Sequence, residues 1–147
     1  MQLTQVPGAT HEMLKVVIGK NALLNKMTEV HVAKTGVDAS VLLKVAKKAN
    51  QPLSIFAKDM GTTERTLRRY QESGKKLNVT ITQNVIGYAK AYDIGIGYFK
   101  EEERWNLWLD TPNVNFNSQP PRTVIDTQSG RELIGNTLKK LEYGFVA

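Results

Sequence analysis

The sequence contains no cysteine among its 147 residues, which excludes disulfide cross-links, thiolate metal sites and cysteine nucleophiles. It also lacks any apolar run approaching the roughly 20 residues that span a bilayer. The first ten residues do not show the basic, apolar and small-residue order of a secretory signal. We therefore expect a cytoplasmic protein that does not enter a membrane.

Groups that catalyse reactions or bind metals are also scarce. The two histidines, His11 and His31, have no neighbouring acidic pair, so their spacing does not favour a metal site. The acidic run at residues 101–103 is explained by the preference of a helix start for negative charge. The segment 95–97 (GIG) lacks the third glycine and the preceding strand of a dinucleotide-binding loop. We predict no enzymatic activity, no metal and no cofactor.

Positive charge is distributed unevenly along the chain, whose formal net charge is +6. Lysine and arginine exceed aspartate and glutamate by 4 in residues 1–50 and by 3 in residues 51–98, whereas acidic residues are in excess by 1 in residues 99–147. A basic body favours a polyanionic partner, and a nearly neutral end suggests a different task. Solubility alone is the simpler explanation of a mild positive excess.

Apolar residues recur at helical spacing along most of the chain, which predicts an all-α fold. Leu14, Val17 and Ile18 indicate a first helix, whereas residues 28–34 (TEVHVAK) fit either a strand or a helix rich in β-branched residues. A further helix is capped by Asp38 or Ser40 and ended by Pro52. The remaining helices are expected at residues 53–58, 63–72, 80 to about 92, 99–109 and 129–143.

Gly95 and Gly97 are expected to break the chain. We place a domain boundary there and predict three parts: an N-terminal segment, 1–37, which is a dimerisation arm or extra core; a helix-turn-helix DNA-binding domain, 38–97; and a small helical domain, 98–147.

The central part carries the pattern of a helix-turn-helix. Two helices that cross at a tight turn need a small residue on the first helix and a glycine in the turn, and Ala57 and Gly61 supply both. Thr62 or Thr63 is placed to cap the second helix, and Gly74 is placed to end it. The apolar residues expected to seal the pair against a third helix are Leu53, Phe56, Met60, Leu67 and Tyr70.

The outer face of the second helix is basic. Arginine binds guanine or phosphate with two donors, and glutamate accepts from cytosine. The alternative is a plain helical hairpin with a solvated charged face. The predicted DNA-binding residues are Thr62, Thr63, Glu64, Arg65, Arg68, Arg69, Lys75 and Lys76.

Trp105 and Trp108 share a face of the helix that follows. A domain of about 50 residues needs large aromatic side chains to bury enough surface, so at least one tryptophan is expected in the core. The functional alternative is an edge of a protein interface, where tryptophan is enriched.

The C-terminal part of the sequence contains an ordered set of motifs: residues 105–112 (WNLWLDTP), Asn113, Phe116, Pro120, residues 123–127 (TVIDT), Gly130 and residues 141–144 (LEYG). Together they closely resemble the C-terminal toxin-binding domain of the Xre/MbcA/ParS antitoxins. With the preceding helix-turn-helix, which is similar to the Xre-type module, the resemblance covers roughly residues 45–147. One departure lies at Asn117-Ser118, where family members often have a glycine pair. Residues 1–37 match no part of the family.

The resemblance implies that the chain binds a toxin with a RES domain, an ADP-ribosyltransferase-like fold that degrades NAD, and that it represses its own promoter. Our hypothesis is that the last helix and the tail block the active site of the toxin, with Lys139 or Lys140 meeting acidic groups and Glu142 a basic group. An ordinary helix end with a glycine cap is the alternative for residues 141–144. The predicted toxin-binding residues are Trp105, Trp108, Lys139, Lys140, Glu142, Tyr143, Gly144 and Phe145.

Two other functions remain open. A freestanding transcription regulator would use its C-terminal domain only to dimerise or to sense a ligand. An architectural DNA-binding protein would bind any sequence with a steep salt dependence, which the moderate charge disfavours. A single helix-turn-helix rarely supplies enough specific contacts, so we expect a homodimer that reads two half-sites of operator DNA.

Overall fold

A computed structural model describes residues 11–20 and 25–144 of the chain. Within these ranges the fold is all-α, as predicted, and contains no strand beyond two isolated bridges, Asp38–Lys76 and Asn113–Gln119. The eight α-helices of this part are α1 Glu12–Ile18, α2 Lys26–Thr35, α3 Ala39–Lys48, α4 Leu53–Asp59, α5 Glu64–Ser73, α6 Val79–Phe99, α7 Glu102–Asp110 and α8 Gln128–Glu142. Two short 3₁₀ helices, Val114–Phe116 and Pro121–Val124, lie between α7 and α8.

The central element is α6, a helix of 21 residues that packs against α1, α2, α7 and α8. Our prediction that this helix ends near Tyr92 and that Gly95 and Gly97 break the chain is wrong. Gly95 is buried against the indole of Trp105, and a Cβ atom on it would lie 2.4 Å from that ring. The glycine therefore allows α7 to approach α6 and does not interrupt the helix. The helix ends at Phe99, and Lys100 follows as its C-cap with a φ of 68°.

The described part of the N-terminal segment belongs to the core. Met13 in α1 is fully buried, and residues 28–34, left open between strand and helix, lie in α2. The carboxylate of Asp93, itself buried in α6, accepts hydrogen bonds of 2.9 Å from the backbone N–H groups of Met13 and Leu14. These donors are in the first turn of α1, where no intrahelical acceptor exists. Asp93 thus fixes α1 to α6 as a cap from a distant part of the chain.

Helix starts differ from the prediction at four places: α5, α6 and α8 begin one residue away from the expected positions, and α7 begins at Glu102 and not at residue 99, which lies in α6. Asn78 caps α6, since its Oδ1 accepts a 2.9 Å hydrogen bond from Ile81 N. Thr127 caps α8, since its Oγ1 accepts a 2.9 Å hydrogen bond from Gly130 N. Both caps are residue types that favour this position.

No helix in residues 11–20 and 25–144 has both the length and the apolar character that a bilayer crossing requires.

Candidate functional site

Helices α4 and α5 cross at the predicted tight turn and pack on α3. Ala57 is completely buried at the crossing, and Gly61 has a φ of 88°, a conformation that favours glycine. Phe56, Met60 and Leu67 are almost fully buried, while Leu53 and Tyr70 pack on the same core as partly buried residues. The five apolar positions predicted to seal the pair are therefore confirmed.

The start of α5 is organised by Thr63. Its Oγ1 accepts a 3.1 Å hydrogen bond from Thr66 N, so Thr63 and not Thr62 is the cap. Gly74 ends the helix with a φ of 73°, as predicted. Since Leu67 is the one buried residue of α5, most of the helix surface faces outward.

The outward face of α5 carries the predicted arginines. Arg65, Arg68 and Arg69 are all exposed, and with Glu64 and Glu72 they line a shallow groove along the helix. Arg68 forms an ion pair of 3.0 Å with Glu64, one turn earlier. An exposed pair of this kind contributes little to stability and exchanges easily for a stronger partner, so Arg68 remains available to an anionic ligand.

The basic residues around the end of α5 are held by local contacts. The guanidinium of Arg69 and the ammonium group of Lys75 lie 5.6 and 5.1 Å from the centre of the Tyr70 ring. Lys76 forms a 3.1 Å ion pair with Asp38, before α3. Arg69 and Lys75 are thus held near Tyr70, and Lys76 is held near the start of α3.

The two tryptophans of α7 have different surroundings. Trp105 is 1% exposed, and its ring stacks on that of Trp108 with centroids 6.0 Å apart. Trp108 is partly buried and also packs edge-on against Phe116 at 5.8 Å. This burial favours the core interpretation of Trp105, and its contact with a toxin stays a prediction.

The predicted tail residues lie at the far end of α8. Lys139, Lys140 and Tyr143 are exposed and Glu142 is partly buried. Gly144 has a φ of 80° and follows the helix end. Phe145 lies outside the described residues. The described members of this group form one accessible end of the domain.

Sequence reasoning missed the most exposed apolar side chains of the C-terminal region. Leu107 is 69% exposed and Val114 is 78% exposed. Leu107 lies two positions after Trp105, so the two side chains point to different faces of α7. This spacing was the available signal: once Trp105 is assigned to the core, Leu107 must face outward.

The loop that departs from the family pattern keeps a glycine-like conformation. Asn117 and Ser118 have φ values of 53° and 62°, and the bridge between Asn113 and Gln119 closes the loop around them. Glycine is favoured at such angles. Two successive residues other than glycine therefore adopt left-handed φ values in this loop.

A polar network joins the C-terminal region to the segment before α4. Arg122 donates to both carboxylate oxygens of Asp110 and, at 2.9 Å, to Asn106 Oδ1. A longer hydrogen bond of 3.4 Å connects Arg122 to Gln51, next to the start of α4.

At the other end of α4, burial raises the pKa of Asp59 above its ordinary value, and the carboxylate of Asp126 raises it further.

Metal chemistry has no candidate site in residues 11–20 and 25–144, where no three His, Asp or Glu side chains are grouped to hold an ion. What the C-terminal region offers instead is surface: two exposed apolar side chains, Leu107 and Val114, and a charged helix end on a small aromatic core. Such a surface can bind another protein.

Comparison with known proteins assigns this region. No curated protein matches the chain. Residues 96–144, one third of the chain, match the family model described as the antitoxin Xre/MbcA/ParS C-terminal toxin-binding domain. The match begins near the end of α6 and ends directly after α8, and its family consists of antitoxins and not of enzymes. Residues 96–144 are therefore similar to the C-terminal toxin-binding domain of the Xre/MbcA/ParS antitoxins.

Proposed function

We propose that this protein is the antitoxin of a type II toxin–antitoxin pair, which binds and inhibits a RES-domain, NAD-degrading toxin and represses its own operon. The observation that carries the proposal is the presence, in one chain, of a matched toxin-binding domain and of an arginine-lined helix on a tight helical pair. The domain implies a toxin partner. The RES class of that toxin comes from the sequence resemblance alone.

The DNA-binding part of the proposal rests on α5. A helix that buries a single residue and exposes three arginines can enter the major groove without disturbing the core. The N-terminal turn of such a helix faces the bases and phosphates, and here it contains Thr63, Glu64 and Arg65. Lys75 and Lys76 lie beyond its C-terminus, where they can neutralise phosphates. Two chains that read half-sites about 34–36 Å apart would supply sufficient contacts.

The toxin-binding part of the proposal uses two surfaces of the C-terminal domain. Leu107 and Val114 supply the apolar contacts, since exposed apolar side chains on a binding domain mark its interface. The end of α8, with Lys139, Lys140, Glu142 and Tyr143, and the tail beyond it cover the active site of the toxin. Trp108, which is partly buried and packs on Phe116, is a further contact at the edge of this interface.

The apolar surface is tested with Leu107→Asp and Val114→Asp in the full chain. Each is expected to weaken toxin binding at least about tenfold, because a charge would be buried in the complex. Met27→Asp is the matched control: Met27 is 69% exposed, like Leu107, but lies in α2. Binding is measured by titration calorimetry with a catalytically inactive toxin. Equal affinities of all three variants would remove this surface from the proposal.

The blocking role of the tail is tested by truncation after Lys140. The shortened chain retains Ile134 and Leu138, the buried apolar residues of α8, and is expected to fold and to bind the toxin while inhibiting NAD degradation less. NAD consumption by the toxin is the readout, and circular dichroism checks the fold. Full inhibition by a folded truncated chain would contradict the blocking model.

The antitoxin is distinguished from a freestanding regulator by its genetic neighbour. We expect a toxin gene next to its own, lethal when expressed alone and harmless when co-expressed with the full chain. Absence of such a neighbour, together with specific binding to promoter DNA, would favour the regulator, whose C-terminal domain would then dimerise or sense a ligand.

A further inference from the structure

Asn84, in α6, joins the turn between α4 and α5 to the last helix of the chain. Its side-chain Nδ2 donates a 2.8 Å hydrogen bond to the carbonyl of Met60. Its Oδ1 accepts a 2.9 Å hydrogen bond from Nη2 of Arg131 in α8. Met60 directly follows α4, and the next residue is Gly61 of the turn. Two short hydrogen bonds thus connect the turn that orients α5 with the toxin-binding domain.

Arg131 is held firmly at its position in this path. Its side chain is 6% exposed, and Nη1 donates a 2.9 Å hydrogen bond to the carbonyl of Ile125, before α8. Gly87 of α6 leaves the space that the guanidinium occupies, since a Cβ atom there would lie 2.9 Å from Nε. A displacement of α8 or of the segment before it must therefore move the guanidinium.

The hydrogen bonding of the Arg131 side chain is also incomplete. Nε of Arg131 is buried with no hydrogen-bond partner among the residues that the structure describes. A buried polar group without a partner weakens the state in which it is found. Replacing a whole set of buried polar partners by apolar side chains of similar size is often neutral or stabilising, whereas removing one partner alone is destabilising. The arrangement is therefore better suited to fixing the relative position of two parts than to stabilising the fold.

We propose that Asn84 and Arg131 couple toxin binding to DNA binding. Binding of a toxin to the C-terminal domain changes the hydrogen bond from Asn84 to the Met60 carbonyl, and with it the orientation of α5. This inference rests on the proposed function. Because such a coupling is reciprocal, operator DNA changes the affinity for toxin by the same factor that toxin changes the affinity for operator. Couplings of this kind amount to about 5- to 150-fold.

The coupling is measured as the ratio of operator affinities with and without saturating inactive toxin, using a duplex of the promoter region upstream of the gene. Asn84→Ala removes both hydrogen bonds. Asn84→Asp keeps the acceptor for Arg131 and removes the donor to Met60. Gln83→Ala, an exposed neighbour in the same helix, is the control.

The wild-type chain and Gln83→Ala are expected to show a ratio that differs from one by at least about fivefold, and both Asn84 variants a ratio within about twofold of one. The separate affinities for toxin and for operator are expected to change less than about threefold, since Asn84 lies on neither proposed binding surface. A wild-type ratio of one, or Asn84 variants that keep the wild-type ratio, would overturn the coupling while the proposed function stands. Failure of the wild-type chain to bind either partner would contradict the proposed function itself.

Hydrogen exchange gives a second measurement that needs no variant. Binding of inactive toxin to the wild-type chain is expected to change the exchange rates of the Gly61 and Thr62 amides, because their turn is anchored through Met60. Unchanged rates at both amides in the toxin complex would also overturn the coupling.

Discussion

Helices α5 and α7 are similar in length, with ten and nine residues, and display their conspicuous side chains in opposite ways. In α5 the arginines that suggest a function point outward and Leu67 alone is buried. In α7 Trp105 is buried with Leu109, and the exposed apolar side chain is that of Leu107. The comparison teaches that charged residues can be assigned to the surface from their type alone. Aromatic residues in a small domain cannot, because its core needs them first.

The largest effect is expected from Trp105→Ala, which tests the buried side of this comparison. Removing the indole leaves a cavity between α6 and α7, and losses of about 3–5 kcal/mol are typical for such a change. Chemical denaturation measures the free energy of unfolding. Leu107→Ala is the control on the same helix and is expected to change stability by less than about 0.5 kcal/mol. A stable Trp105→Ala variant that had lost only toxin binding would return Trp105 to the interface.

Arg65→Ala tests the exposed side of the comparison. Arg65 is in the first turns of α5 and exposed, so its loss is expected to weaken operator binding by about 1–3 kcal/mol and leave the unfolding free energy nearly unchanged. Fluorescence anisotropy with operator and with an unrelated duplex separates base recognition from phosphate contact. Lys139→Ala, which removes an equal charge from α8, is the control. Equal operator affinities of the two variants would argue against α5 as the DNA-contacting helix.

The contrast between the two helices also marks what sequence reasoning was able to predict. The α4–α5 pair was predicted closely because its determinants are local: Ala57, Gly61, the Thr63 cap and Gly74 all act within a few residues. The path of α6 was not, because Gly95 serves a contact with Trp105 that lies ten positions away in sequence and belongs to tertiary packing. The capping of α1 by Asp93 is likewise invisible in sequence, since the two partners are about 80 positions apart.

The similarity of residues 96–144 to the toxin-binding domain was recognisable in the sequence, whereas the exposure of individual side chains was not. The two tryptophans of α7 suggested an interface, whereas the exposed Leu107 and Val114 become visible only when burial is known. Exposure depends on which side of each helix the rest of the chain covers. The exposure of Arg65, Arg68 and Arg69 was easier to predict, because Leu67 already defined the inner face of α5. Their contact with DNA stays a prediction.

A smaller effect is expected from Ser118→Gly in the loop after α7. Ser118 has a φ of 62°, which is costly for a residue with a Cβ atom and is partly offset by the greater flexibility of glycine in the unfolded chain. The net expectation is a gain of about 0.5–1 kcal/mol in unfolding free energy. Ser129→Gly, at an exposed position of the first turn of α8, is expected to destabilise instead. Destabilisation by both changes would contradict the assigned loop conformation.

The smallest effect is expected from Asp59→Asn at the end of α4, and its direction depends on pH. Burial and the nearby Asp126 raise the pKa of Asp59 above 3.8 in the folded chain, so the folded state favours the protonated form. The stabilising contribution of Asp59 is therefore fully present below pH 3.8 and is lost as the pH rises through its folded pKa. Asparagine keeps the shape without the charge, so the variant is expected to be slightly more stable than wild type at neutral pH, and the difference is expected to vanish in acid.

Thermal unfolding at pH 7 and at pH 3.5 measures this dependence. Asp110→Asn is a poor control because Asp110 pairs with Arg122, whereas Glu103→Gln replaces an exposed carboxylate and is expected to show no such trend. A variant less stable than wild type at pH 7 would mean that the ionised Asp59 is held by its neighbours Arg122 and Lys58 more strongly than burial disfavours it. The junction between α4 and the C-terminal region would then be stabilised by charge attraction, and the polar contacts around Arg122 would contribute more to the link between the two parts than the 3.4 Å hydrogen bond to Gln51 suggests.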